Sequence, residues 1–310
     1  VAGGEPRLLL DGKQLAPPER ELSEAEKARR ERAGVATRGV VDYAWDRQAR
    51  LILAPVEGDL WIYDVASRRA RQLTRTPGDE IDAKISPRGT YVSYVRNDDL
   101  YVTPAAGGAE RALTEGGTEL RSWGTAEFIA QEEMRRHTGY WWSPDERAIA
   151  VAFVDQTGVD VVERPEVNAT GARVVPQRYP RAGRPNAVVD LYVQPLDGPR
   201  VKVDLGADAD IYLARVEWAK DGRTLYVQRQ SRDQRRLDLL AVEPATGRSQ
   251  VILTETSPHW VGLTDDFRPL GDGSFLWSSE RSGHRHLYLH GRDGRLIRQI
   301  TRGDWPVDEI

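Results

Sequence analysis

The chain contains no cysteine and a single methionine among its 310 residues. The first absence excludes a disulfide-stapled scaffold, a thiolate zinc site and a cysteine nucleophile together. It leaves the compartment open, because a cysteine-free chain tolerates oxidising and reducing surroundings alike. Long apolar runs are missing too, and no stretch approaches the ~18 to 20 residues of a membrane-spanning helix. A surplus of positive charge is absent: 44 basic residues face 48 acidic ones, for a net charge of −4. That balance argues against a nucleic-acid binder, which must neutralise phosphates. No Gly-x-Ser-x-Gly nucleophile elbow, glycine-rich phosphate loop or EF-hand loop occurs. The chain opens Val1-Ala2-Gly3-Gly4, with neither a start methionine nor a signal-peptide pattern. With 39% hydrophobic and 30% charged residues, the composition predicts a mildly acidic folded chain and not a disordered one.

What is present is a repeat. Forty positions separate Asp42 from Asp82, Leu60 from Leu100, Leu73 from Leu113 and Thr74 from Thr114. Asp46 pairs with Ser86 in the same way, each opening a polar turn before an alternating apolar run such as Tyr91-Val92-Ser93-Tyr94-Val95. The phrase returns at Trp142-Ser143-Pro144-Asp145, at Trp218-Ala219-Lys220-Asp221-Gly222 and more loosely at Leu270-Gly271-Asp272-Gly273. A period of ~40 to 45 residues with four strands per unit is the mark of a β-propeller blade. The expected fold is therefore all-β: a partial β-propeller of about five four-stranded antiparallel blades spanning 1–310, with a β-sandwich as the weaker alternative. Residues 3–12 resemble the end of a blade at 107–116, and Arg298-Gln299-Ile300-Thr301-Arg302 echoes Arg71-Gln72-Leu73-Thr74-Arg75. Both ends are expected to fall inside a repeat, as in a fragment.

Short helical inserts interrupt the repeat. Segment 14–34 is dense in Glu, Arg, Lys and Ala, with Ser23 and Glu26 at capping-box spacing, and reads as an exposed charged helix. Segment 124–137 has strong helix formers, with Phe128, Ile129 and Met134 able to form one apolar stripe. The proline-rich stretch 163–187 reads as a long loop or protruding hairpin. Asn168-Ala169-Thr170 fits a glycosylation acceptor by pattern alone. His284, His286 and His290 share a strand face that could hold a metal, but no carboxylate stands in register with them, so no metal site or cofactor is assigned.

The adjacent Glu132 and Glu133 stand out within the second insert. Neighbouring helix side chains diverge by about 100°, so both can border one cavity. On an ordinary surface helix they would instead pair with Arg135, Arg136 and His137 one turn away.

The stretch Ala126-Glu127-Phe128-Ile129-Ala130-Gln131-Glu132-Glu133-Met134, followed by His137-Thr138-Gly139-Tyr140-Trp141-Trp142-Ser143-Pro144-Asp145, resembles the double-glutamate motif of the dipeptidyl peptidase IV family. That family belongs to the prolyl oligopeptidase group of serine peptidases. Tyr179-Pro180-Arg181-Ala182-Gly183-Arg184-Pro185-Asn186, His259-Trp260-Val261, Ser278-Ser279-Glu280-Arg281-Ser282-Gly283 and Thr301-Arg302-Gly303-Asp304-Trp305 resemble it as well. The resemblance implies an eight-bladed propeller capping a C-terminal α/β-hydrolase domain that carries the Ser-Asp-His triad and is absent from these residues. It implies Glu132 and Glu133 as anchors for the substrate's free amino terminus, no catalytic residue in this chain, and no cofactor. No arginine here matches the family's propeller arginine. The partners implied are a peptide with a free N-terminus and the chain's own hydrolase domain; a homodimer is compatible, and the location implied is periplasmic or secreted. The expected function is N-terminal recognition and substrate gating in an exopeptidase releasing Xaa-Pro or Xaa-Ala dipeptides, the 310 residues alone being inactive. The alternative is a stand-alone propeller that binds peptides or proteins without catalysis.

Overall fold

Runs that alternate β-branched or aromatic residues with polar ones become strands, and Gly, Asp and Asn between them become tight turns. The computed structural model describes residues 39–168 and 171–310, together with 8–15 and positions 22, 27, 30, 31 and 34. Two thirds of segment 14–34 thus lie outside the described residues, Ser23 and Glu26 among them, as do two members of the Asn168-Ala169-Thr170 triplet. The chain divides into two compact units, Val1–Gly124 and Thr125–Ile310.

The first unit holds a helical turn at Gly12–Leu15 and two four-stranded antiparallel sheets. One comprises β1 (Ala44–Trp45), β2 (Leu51–Val56), β3 (Asp59–Asp64) and β4 (Arg69–Gln72) in sequence order. The other comprises β5 (Ile81–Ile85), β6 (Tyr91–Arg96), β7 (Asp99–Pro104) and β8 (Arg111–Ala112), with the short strand β9 (Arg121–Trp123) following. Leu53, Leu60 and Ile62 of one sheet share a core with Val92 and Tyr94 of the other. Beside that core, Arg96 and Tyr94 both bond Glu110, and the guanidinium lies 4.3 Å from the Tyr101 ring centroid.

The second unit repeats the pattern. Strands β10 (Tyr140–Trp142), β11 (Ala148–Asp155), β14 (Val188–Pro195) and β15 (Val201–Lys202) make one antiparallel sheet. Between its second and third strands the chain leaves to form a hairpin, β12 (Val161–Asn168) against β13 (Gly171–Arg178). Of the stretch 163–187, read from sequence as a long loop or a protruding hairpin, the part to Arg178 lies in this hairpin and 179–187 continues as turns and irregular chain. Two further four-stranded sheets follow, β16 (Ile211–Trp218), β17 (Leu225–Ser231), β18 (Arg236–Val242) and β19 (Ser249–Thr256), then β20 (Arg268–Pro269), β21 (Phe275–Ser279), β22 (His286–His290) and β23 (Leu296–Gln299).

The repeat read from sequence has a hydrogen-bond basis. At each recurrence of that phrase one residue donates its N–H to a carbonyl four or five positions on and accepts from the N–H three positions on. The openers are Asp46, Ser86, Ser143, Ala219 and Leu270, with distances of 2.8 to 3.1 Å. Where the opener carries oxygen, its side chain takes a second backbone donor: Asp46 accepts from Leu51, Ser86 from Tyr91 and Ser143 from Ala148. The residue three positions after each opener has positive φ; Gly89, Gly222 and Gly273 accept this freely, and Ala49 and Glu146 do so at a cost.

A second contact recurs at a fourteen-residue spacing. The backbone N–H groups of Leu60, Leu100 and Leu287 donate to the hydroxyls of Thr74, Thr114 and Thr301 at 2.8, 2.9 and 3.0 Å. Each threonine also touches a polar neighbour: Thr74 donates to Glu80, Thr114 to Asp99, and Thr301 meets His286. Thr114→Val keeps the shape but leaves the buried Leu100 N–H without its acceptor. We expect a loss of about 1 to 3 kcal/mol in the unfolding of the first unit, read from denaturant curves, with Thr114→Ser much closer to the parent. Equal stability of the valine variant would remove the clasp from the account.

The histidines serve the same local order. His284 is exposed. His286 is buried between Thr301 and the Gly303 carbonyl, at 3.1 and 2.9 Å. A carbonyl can only accept, so Nε2 carries a proton and donates to Gly303. His290 bonds Gly294 O through Nδ1 and stacks on Phe275, and burial pushes its pKa down. Among the described residues no group of three or more His, Cys, Asp or Glu could hold a metal ion.

Candidate functional site

Segment 124–137 is rich in helix formers, yet the helix itself is only Phe128–Glu132. The chain cannot continue it because the following N–H groups turn back: Met134 donates to Ile129 O at 3.2 Å and Arg136 to Ala130 O at 2.8 Å. Arg135 takes φ 54° to make the turn. The expected apolar stripe splits. Met134 is buried and Ile129 half-buried against the core of β16–β19 and β21, whereas Phe128 packs edge-on against Tyr179 with ring centroids 5.2 Å apart.

Glu132 is the last helical residue and Glu133 the C-cap, with φ −105° and ψ −29° and its N–H bonded to Ile129 O at 2.9 Å. Both side chains are exposed. They therefore stand side by side at the end of one helical turn whose other face is buried.

Residues around them, overlooked in the sequence, hold that turn in place. Glu127 is the N-cap: one carboxylate oxygen accepts the Ala130 N–H at 3.0 Å, and the other is buried without a hydrogen-bond partner. The residue is only 3% exposed. Burial drives its pKa up, against the pull of Arg136, the Ala130 hydrogen bond and Arg232. Arg136 is also buried, and donates Nε to Leu213 O at 2.9 Å and Nη1 to Thr138 O at 2.7 Å. It thereby ties the turn after the glutamates to the backbone of β16. Gln131 adds a bond to Ala126 O at 2.5 Å. Glutamate is not a favoured N-cap and arginine is not a favoured positive-φ residue, so neither signalled its role.

The neighbouring aromatic is Tyr212 on β16, buried, with the Arg232 guanidinium 5.7 Å from its ring centroid. Burial raises the phenol pKa, Arg232 opposes this, and Glu127, Asp210 and Glu133 add to it. Glu133 and the Glu127 cap are thus both within electrostatic reach of this buried tyrosine. The Tyr179–Asn186 segment is braced from its other side. Asp160 accepts from Arg181 at 3.0 Å and from Arg184 at 2.7 and 3.1 Å, which brings its carboxyl down to about 2. A separate cavity of about 250 Å³ is lined by Arg215, Tyr226, Gln228, Asp265, Phe267 and Arg268, and neither glutamate borders it.

A sequence profile described as "Dipeptidyl peptidase IV (DPP IV) N-terminal region" matches residues 46–310, most of the chain. The chain belongs to the dipeptidyl peptidase IV family, in its N-terminal region. Among curated proteins it is 26% identical over 272 residues to "Probable dipeptidyl peptidase 4" of Aspergillus flavus, covering 81% of this chain and 35% of that one. It is 26% identical over 244 residues to "Inactive dipeptidyl peptidase 10" of Rattus norvegicus, covering 72% and 30%. The crystal structure of Porphyromonas gingivalis dipeptidyl peptidase 4 matches with a TM-score of 0.80 at 23% identity, over 88% of this chain and 41% of that chain. This last likeness concerns the fold. The chain spans about a third of the length of the curated relatives it matches. Dipeptidyl peptidase IV membership agrees with the family named on motif grounds, and the all-β architecture of four-stranded antiparallel sheets agrees with the fold class. Among the described residues no helix is long and apolar enough to cross a membrane.

Proposed function

We propose that these residues form the substrate-recognising part of a serine-type dipeptidyl peptidase, with the four-stranded sheets as blades of a β-propeller. The nucleophile, base and acid reside in an α/β-hydrolase domain outside the 310 residues. In this reading Glu132 and Glu133 receive the substrate's α-ammonium and the blades gate access for the peptide. The carrying observation is the exposed glutamate pair on a turn buried on its other face, in a chain of the dipeptidyl peptidase IV family. An extended chain advances at most ~3.3 to 3.6 Å per residue, so an anchor about 7 Å from the scissile carbonyl measures off two residues. Periplasmic or secreted location accompanies this reading through the family alone.

A second reading is favoured by the relative named as inactive: the fold serving as a binding module without catalysis. The two separate in one assay of the full-length protein on a chromogenic Xaa-Pro amide, free or N-acetylated. We expect turnover of the free amine, with the acetylated form and the isolated 310-residue chain both at background. Acyl transfer needs an activated nucleophile with a matched base and an oxyanion hole, and none of the five histidines has a sequence context that suggests such a base. Peptide binding without any turnover by the full-length protein would favour the binding module.

A further inference from the structure

The Phe128–Glu132 helix is too short to hold itself. Its five residues close barely one turn, and isolated helices below ~12 residues are marginal in water. Whatever fixes the direction of Glu132 and Glu133 must come from outside the helix. Two buried charged side chains do so, one on each side of the pair in sequence. Glu127 stands ahead of it as the N-cap, and Arg136 stands behind it on the backbone of Leu213 and Thr138.

Glu127 is the unusual member. Serine or threonine would cap the turn with no charge to bury. The longer glutamate arm places its carboxylate, 3% exposed, at the base of the turn within electrostatic reach of Arg136 and Arg232. One oxygen bonds Ala130 N–H and the other is enclosed without a hydrogen-bond partner. Ala130, the residue so anchored, is fully buried and also receives the Arg136 N–H on its carbonyl. Both ends of the glutamate segment therefore converge on Ala130. We propose that Glu127 is a positioning residue for substrate recognition: its buried carboxylate, acting through Ala130 and with Arg136, sets where the Glu132 and Glu133 carboxylates point. This rests on the reading of that pair as the ammonium anchor. Glu127 itself touches no substrate.

The consequence is kinetic. Misplacing a positioning group by about 1 Å costs on the order of 100-fold when reacting atoms must be held in register. The test compares Glu127→Ala, Glu127→Gln and Glu132→Gln in the full-length protein, with a chromogenic Xaa-Pro amide as substrate. A small organophosphonate that labels the nucleophile without an ammonium group serves as the second readout. Glu127→Ala should raise KM about 10- to 100-fold while the labelling rate stays within about twofold of the parent. Glu127→Gln keeps an acceptor oxygen for Ala130 and loses the charge; it should raise KM by about threefold or more, and it carries the test if the alanine variant does not fold. A KM within about twofold of the parent in the folded Glu127 variants, with Glu132→Gln impaired, overturns the proposal and leaves the ammonium reading standing. A parallel fall in labelling rate and activity at unchanged KM marks Glu127 as merely structural and overturns it too. Unchanged KM in Glu132→Gln as well overturns the anchor reading, and the proposal with it.

Discussion

Replacing Glu132 or Glu133 by glutamine in the full-length protein is expected to lower kcat/KM on a free-amine Xaa-Pro substrate about 30- to 1,000-fold, or ~2 to 4 kcal/mol. The two carboxylates leave the same exposed end of one helical turn, so they can share the three N–H donors of one ammonium. One ammonium about 4 Å from one carboxylate gains about 4 kcal/mol at an effective dielectric near 20, before desolvation is subtracted. Glutamine preserves size and an acceptor oxygen but removes the charge, so the variant isolates the electrostatic part. An N-acetylated substrate offers one weak donor and no charge, and should lose nothing further in either variant. If both variants keep near-parental kcat/KM on the free amine, the pair is a surface feature and its assignment fails.

Phe275→Ala is expected to destabilise the second unit by about 3 to 5 kcal/mol, a large share of the ~5 to 15 kcal/mol a folded domain holds. The ring is fully buried, stacks on His290 at 5.3 Å, and lies 5.5 Å from the Phe267 centroid and 6.3 Å from that of Tyr226. Removing it opens a cavity among aromatics that cannot collapse without breaking those contacts. It also takes support from Met134, which packs in the same cluster behind the glutamate turn. A melting transition lower by about 6 to 20 °C would agree, and Phe275→Leu should cost far less. A transition within about 2 °C of the parent would show that this cluster is not the core of the unit.

The parts of this protein that could be read from sequence are those the backbone repeats. The Asp46 and Ser86 offset reports a turn rebuilt at each recurrence from the same pair of backbone bonds, and the Thr74 and Thr114 offset reports a side chain satisfying a buried strand N–H. Such demands recur with the fold, so they leave a period. The glutamate pair was visible because the residues around it resemble a family motif; as two exposed neighbours on a helix they would otherwise read as an ordinary surface pair. What holds the pair in place was not visible. Helix propensity extends through Arg136, but the Arg135 φ of 54° and the bonds back to Ile129 and Ala130 end the helix at Glu132. Those are tertiary choices, made because Met134 has a core to enter and Arg136 has Leu213 O to reach. Glu127 likewise carries no capping signature, and only its burial reveals it.

The most direct test is a structure of the full-length protein with a free-amine dipeptide product bound. The account predicts the dipeptide nitrogen about 3 Å from a carboxylate oxygen of Glu132 and of Glu133, with the Glu127 to Ala130 bond intact. A dipeptide whose amino group rests on other residues, with both glutamates turned to solvent, would contradict it.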